Sequence, residues 1–172
     1  MSNFKTPADS FTIMNEIVLP NDTNTLGNLM GGRLLHWMDI CAAIAAQKHS
    51  NQLVVTASVD SVSFREEIHL GDVVTLQAQV SRAFNTSMEV FIEVFAQNIP
   101  RNEIVKCNDA YYTFVALDSR RKPVRVPELQ PGSDIEKQRY EAALRRRQVR
   151  LILAGKMKPA EANELKNLFL PE

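Results

Sequence analysis

Residues 24–39 read NTLGNLMGGRLLHWMD, and three features of this stretch can do chemistry. Gly31 and Gly32 stand where a helix begins. Glycine is unfavourable inside a helix by about 1 kcal/mol, but in the first turn it lets a ligand approach backbone N–H groups that have no partner and carry the positive end of the helix dipole. A carbonyl turning into an oxyanion can bind there; a plain helix entry with close packing has the same spacing. Asp39 lies about two turns further on, too deep to cap the helix, between Met38 and Ile40. A carboxylate among apolar neighbours is costly unless it is paired or functional. Desolvation and nearby donors can tune it as a general base, or it can hold a turn. Asn28 sits at the loop–helix junction, where it serves as a cap or as a polar group of a site.

Other chemistries lack their residues. No Gly-x-Ser-x-Gly occurs, so a serine nucleophile on a strand–helix elbow has no support. No Gly-x-Gly-x-x-Gly or Walker pattern occurs. His36, His49 and His69 have no metal-ligand spacing with one another or with Cys41 or Cys107. No metal or organic cofactor is expected.

The elements that must position these groups follow from the pattern. Residues 11–19 read as a strand and residues 21–28 as a turn-rich loop. Residues 29–50 form the longest helical pattern, apolar almost all round between Trp37 and Ala46, which predicts a helix enclosed by protein. Strands are expected over 53–64, 73–82, 87–97 and 104–117, separated by short polar turns that imply antiparallel hairpins. Residues 87–97 alternate strictly, with Met88, Val90, Ile92, Val94 and Ala96 on one face. One helix that is apolar all round and several strands predict an α+β fold, a curved antiparallel sheet wrapped around the helix. The proline-bearing residues 122–132 read as a linker. Ser133 and Glu136 match a capping box opening a helix to about Leu153, with a second short helix after Lys158-Pro159 and before Pro171. The expected organisation is one domain over 1–130 and a helical extension over 131–172.

Lysine plus arginine equals aspartate plus glutamate, 20 each, so no global charge recruits nucleic acid or an anionic membrane. Residues 1–9 are polar, with no signal-peptide core, and no apolar run reaches the roughly 20 residues that span a bilayer. A cytoplasmic protein with two buried, unpaired thiols is expected.

The motif Leu26-Gly27-Asn28-Leu29-Met30-Gly31-Gly32 followed by Met38-Asp39 resembles the hotdog-fold acyl-CoA thioesterases, the bacterial and brain-type cytosolic acyl-CoA hydrolases above all. Residues 59–64 (VDSVSF), 70–73 (LGDV) and 112–118 (YTFVALD) are similar to the same family, so the resemblance covers about residues 11–118. It implies a sheet of five or six strands around one helix, edge-to-edge pairing of two subunits, often three such dimers in a hexamer, and two active sites at each dimer interface. It implies hydrolysis of an acyl-CoA to free coenzyme A and a carboxylate. Asp39 would act as general base or nucleophile, Asn28 would come from the partner subunit, and the Gly31–Gly32 backbone would polarise the carbonyl. Met30 departs from the histidine that many relatives carry there. The acyl chain would follow the helix near Trp37 and Met38. The coenzyme A arm would cross Ser58, Val59, Asp60 and Phe64, its phosphates near Arg65, Arg82 or the Arg145, Arg146, Arg147 and Arg150 cluster, which is otherwise a solvated helix face. A hydroxyacyl-thioester dehydratase using His36 and a non-enzymatic acyl-CoA sensor are the alternatives.

Overall fold

The computed structural model describes residues 4–169. In chain order it contains β1 (Phe4–Lys5), α1 (Pro7–Ser10), β2 (Thr12–Ile17), a 3-10 turn (Pro20–Asp22), α2 (Gly31–Ser50), β3 (Leu53–Asp60), β4 (Val73–Ala83), β5 (Ser87–Asn98), β6 (Glu103–Leu117), β7 (Glu128–Leu129), α3 (Asp134–Leu153), a second 3-10 turn (Pro159–Glu161) and α4 (Asn163–Phe169). The chain divides into two units, Met1–Gln130 and Pro131–Glu172.

In the first unit, five strands form one antiparallel sheet in the order β2-β4-β5-β6-β3, and α2 lies against its inner face. The period-2 alternation of the strands makes that face apolar. Val74, Leu76, Ala78 and Val80 of β4 are fully buried, as are Met88, Val90, Ile92 and Val94 of β5 and Met38, Cys41, Ala42 and Ala45 of α2, and α2 packs on both strands. Phe114 and Tyr112 of β6 complete the layer at 1 % exposure each. Side chains this large set its stability, since truncating such an aromatic costs about 3–5 kcal/mol. Cys41 and Cys107 are free and buried, and burial pushes the Cys41 thiol up to about 11.

Four differences from the pattern have physical causes. Residues 61–64 do not continue β3. The strand stops at Asp60, and Ser61 turns the chain at φ 59°, so Phe64 and Arg65 ride on a loop. Helix α2 begins at Gly31 rather than residue 29, because Leu29 N–H is drawn sideways to Ile68 O (2.7 Å) and Met30 N–H to Asp22 O (2.9 Å). The short elements β1, α1 and β7 fall below the length at which periodicity can be read; β1 and β7 pair in parallel as a two-stranded sheet. Finally, α2 is not enclosed on all sides in the single chain. Ile40 and Ile44 stay 39 % exposed on one stripe.

The second unit is α3, the 3-10 turn and α4. Ser133 Oγ accepts from Glu136 N–H while Glu136 Oε2 accepts from Ser133 N–H, the reciprocal cap expected from the two residue types. Among the described residues, no helix is long and apolar enough to cross a membrane.

Candidate active site

The loop before α2 is tied down residue by residue. Asp22 is buried and accepts Leu19 N–H at 3.0 Å, and its other oxygen meets the Arg33 guanidinium at 2.7 Å. Gly27 takes φ 79°, a conformation that L side chains rarely adopt. Its carbonyl accepts Leu70 N–H at 3.1 Å. Asn24 Oδ1 accepts from Leu26 N–H (2.9 Å) and Asn28 N–H (3.2 Å), and Asn28 Oδ1 accepts from His69 Nδ1 (2.8 Å).

This loop delivers the start of α2. Arg33 and Leu34 N–H donate to Met30 O, the first turn's bonds, and the Gly31 and Gly32 N–H groups precede them. A Cβ on Gly31 would stand 3.1 Å from the Phe64 ring, so the ring would have to shift by a few tenths of an ångström to admit one; a Cβ on Gly32 would meet nothing within 4 Å. The face beside Gly32 is open to an approaching group. A cavity of about 300 Å3 adjoins this start, with Asn24, Asn28, Gly31, Leu34, Phe64 and Arg65 in its wall.

Asp39 is elsewhere. It is half-buried, and its carboxylate accepts Thr56 Oγ1–H at 2.7 Å. Thr56 lies at a β-bulge, where the β3–β6 register shifts between Thr56 and Ser58, and bulges commonly re-aim a side chain beside a site. Beneath sits Tyr112. Burial first, then the charge of Asp39, pushes its phenol well above the ordinary range, and its O–H reaches Leu35 O at 3.4 Å. The Tyr112 phenol therefore stays protonated at any physiological pH.

Of the residues expected in the site, the structure groups Asn28, Gly31, Phe64 and Arg65 around one cavity, with Gly32 beside them. Asp39 is eight residues from Gly31, about 12 Å along the helix axis. Ser58 and Asp60 contact each other at 3.4 Å on the edge strand, with Val59 between them opposite Tyr112. Arg82 is three strands from Ser58, through the register Arg82–Glu89–Thr113–Ser58, or roughly 14 Å at about 4.8 Å per strand. Its guanidinium lies over the Phe84 ring. Arg65 is largely exposed, 3.7 Å from Asp109. Arg145, Arg146, Arg147 and Arg150 belong to α3 of the second unit, where Arg146 donates to Arg139 O. Trp37 and Met38, expected near the acyl path, are buried in the chain's own core, while Ile40 and Ile44 are exposed on α2. Thr56 and Asn24 do not stand out in the sequence. Thr56 looks like any β-branched strand residue until the bulge aims it at Asp39. Asn24 is one asparagine among three between residues 21 and 28, in a turn whose composition gives no reason to single it out.

A sheet wrapped on one helix, with open N–H donors at the helix start and a carboxylate two turns on, is the layout of a hotdog-fold thioester-processing site. Comparison with known proteins agrees. The family model of the thioesterase superfamily matches residues 26–101. The chain is 38 % identical over 145 residues to mouse acyl-coenzyme A thioesterase 11, covering 84 % of this chain and 24 % of that much longer protein. The acyl-CoA hydrolase of Staphylococcus aureus, solved in complex with butyryl coenzyme A, coenzyme A and coenzyme A disulfide, superposes with a TM-score of 0.81 at 38 % identity, over 89 % of this chain and 95 % of that one. An acyl-CoA thioesterase solved as an apo hexamer superposes with a TM-score of 0.85 at 38 % identity, over 90 % and 98 % of the two chains. This chain belongs to the hotdog-fold acyl-CoA thioesterases.

Proposed function

We propose that the protein hydrolyses the thioester of an acyl-CoA to coenzyme A and a carboxylate, at a site shared by two copies of the chain. The observation that carries the shared site is the separation on α2. The donors of Gly31 and Gly32 are about 10–12 Å from Asp39 along one helix axis, whereas a thioester carbonyl needs its donors and its attacking group within about 3 Å each. Two copies joined across the open edge of β3, where Leu53, Val55 and Val59 are exposed, would bring the helix start of one to Asp39 of the other. Ile40 and Ile44 would be covered in the same contact. The hexameric relative fits a further assembly of three such dimers, in the cytoplasm.

A second line concerns which asparagine takes part. The S. aureus enzyme has been solved with an asparagine, an aspartate or a threonine changed to alanine; the aspartate follows the asparagine by fifteen positions and the threonine follows the aspartate by seventeen. Asn24, Asp39 and Thr56 repeat that spacing here, while Asn28 is eleven positions before Asp39. The side-chain carbonyl of Asn28 accepts from His69 as that of Asn24 accepts from the loop backbone, so the spacing decides between them. We therefore assign the polar role to Asn24 and a supporting one to Asn28.

In this reading the Gly31 and Gly32 N–H groups and the Asn24 amide polarise the carbonyl. Asp39, held by Thr56, removes a proton from water as it attacks, and the tetrahedral intermediate expels the coenzyme A thiolate; in the alternative, the Asp39 carboxylate itself attacks, loss of the thiolate leaves an anhydride, and water opens the anhydride to release the carboxylate. Val59, Phe64 and Arg65 line the side from which the coenzyme A arm would enter.

The test is subunit mixing. Asn24→Ala and Asp39→Ala are each expected to retain only a small, measurable fraction of wild-type activity. Co-expressed, they form mixed dimers in which one site carries both defects and the other neither, so random assortment restores about a quarter of wild-type activity. Verified mixed dimers with no recovered thiol release would rule out the shared site.

A further inference from the structure

Asn24 is solvent-exposed on a loop, and an exposed carboxamide is free to rotate. A donor useful to catalysis must be held in place, since a misplacement of about 1 Å can cost on the order of 100-fold in rate. The loop supplies the restraint. Asn24 Oδ1 accepts two backbone N–H bonds, from Leu26 at 2.9 Å and Asn28 at 3.2 Å, and Asn24 N–H in turn donates to Asn28 O at 2.8 Å. With its oxygen committed on that branch, the amide nitrogen occupies the other, and Asn24 stands in the wall of the cavity at the start of α2. Two of the three bonds in this clasp pass through the backbone of Asn28. Asn28 is held at its backbone by the bridge bonds on either side, Leu29 N–H to Ile68 O at 2.7 Å and Leu70 N–H to Gly27 O at 3.1 Å, and at its side chain by His69. His69 Nδ1 donates to Asn28 Oδ1 at 2.8 Å, its own backbone N–H is fixed by Asp72 Oδ2 at 2.9 Å, and the two residues face each other as an antiparallel bridge. Asp72 is buried and is itself held by Asn98 Nδ2 at 2.9 Å on β5. A line of hydrogen bonds therefore runs from the central sheet through Asp72, His69 and Asn28 to Asn24.

We propose that His69 is a positioning residue for the hydrolysis: through Asn28 it holds the Asn24 carboxamide with its N–H2 group turned to the thioester. The proposal rests on the assignment of Asn24 made above. It needs a donor at the position of Nδ1 and nothing else from the ring. The neutral Nδ1–H tautomer and the imidazolium both supply that donor, so the brace works in either charge state. Asparagine at position 69 can present its amide N–H2 near the same point, because its Nδ2 stands at the distance of Nδ1 from the backbone. Glutamine places its amide one bond further out, near Nε2, and leucine has no donor.

The experiment measures thiol release with the acyl-CoA that the wild type turns over fastest in a series from acetyl- to palmitoyl-CoA. His69→Leu and His69→Gln are expected to lower kcat about five- to tenfold, the worth of one orienting hydrogen bond, with KM within twofold. His69→Asn is expected to restore kcat to within about twofold of wild type. Added to Asn24→Ala, His69→Leu should cost nothing further, because it acts through the group already removed. If His69→Leu fails to fold, the contrast between the Asn and Gln variants decides alone. Wild-type kcat in His69→Leu or His69→Gln, with Asn24→Ala crippled, overturns the brace and leaves the Asn24 assignment standing. Multiplying effects in the double variant overturn it as well, and point to Asn28 or His69 acting on the substrate directly. Full activity in Asn24→Ala removes the assignment and the brace together.

Discussion

The two halves of α2 are built for opposite ends. From Gly31 to Asp39 the helix carries open backbone donors, an exposed glycine face and a half-buried carboxylate held by one threonine. From Cys41 to Ser50 its core side is sealed, while Ile44, Gln47 and Lys48 stay exposed on the other. Cys41, Ala42, Ala45, Ala46 and His49 have no exposed surface, Ser50 Oγ donates back to Ala46 O at 2.9 Å, and Asn51 closes the helix in a left-handed turn with its N–H on Gln47 O. Lys5 and Lys48 lash this end to neighbouring chain, Lys5 to Lys48 O and Lys48 to Phe11 O. The difference teaches that both halves share the core, through Leu34, Trp37 and Met38 in the first and Cys41, Ala42, Ala45 and Ala46 in the second, while the first also keeps backbone donors and a carboxylate open on its other side. Such a division is common where function requires local groups that do not help folding.

The sharpest way to break this comparison is Asp39→Asn. If the first half serves chemistry, removing the carboxylate lowers kcat by about 10²–10⁴-fold, while the melting temperature stays within a degree or two, because the amide is nearly isosteric and Asp39 contributes little to the core. A folded variant with near-normal turnover would remove Asp39 from the chemistry.

The second half has its own test. His49 is fully buried, with Nε2–H donating to Pro127 O at 2.9 Å. Burial pushes its pKa below the usual 6.5, the Pro127 carbonyl opposes that shift, Lys5 reinforces it and Asp9 opposes it. The unfolded chain then binds the proton more readily than the folded one. Stability from this residue is complete above pH 6.5 and declines as pH falls toward the lower folded value, by at most about 1.4 kcal/mol per pH unit. Thermal unfolding between pH 7.5 and 5.0 should show that decline in the wild type and a flatter profile in His49→Gln. Equal slopes would place the pH dependence elsewhere.

The smallest expected effect is also the most specific. Gly32→Ala places a methyl where nothing stands within 4 Å. In the first turn of a helix this should raise stability by about 0.4–1 kcal/mol by restricting the unfolded chain. If the open face is where substrate approaches, KM rises in the same variant. A gain in stability with unchanged kinetics would leave Gly32 as a helix entry only.

Much of this architecture is legible in the order of the residues. The alternation of residues 87–97 puts Met88, Val90, Ile92 and Val94 on the face that α2 covers. Gly31, Gly32 and Asp39 declare themselves because a double glycine and a carboxylate are unfavourable where they stand unless something uses them. Side chains aimed by tertiary accidents of backbone do not declare themselves. Thr56 reaches Asp39 because β3 slips its register by a bulge, and a one-residue slip moves a side chain to the other face of a sheet. Nothing in LVVTASVD says where that slip falls.

The sequence by itself determined the periodicities, and through them the helix, the strands and the inward face of each, since burial of apolar area acts on patterns that can be read along the chain. It also determined that polar groups gather at one end of the long helix. Only the tertiary structure decided how those groups divide. Trp37 and Met38 turned to the core and Ile40 and Ile44 to the outside because the sheet covers one side of α2 and leaves the other open. Gly31 and Asp39 stayed about 12 Å apart because a helix rises about 1.5 Å per residue whatever its sequence. Asn28 went to His69 because two loops distant in sequence close on each other, a contact between residues 41 positions apart that no local pattern encodes.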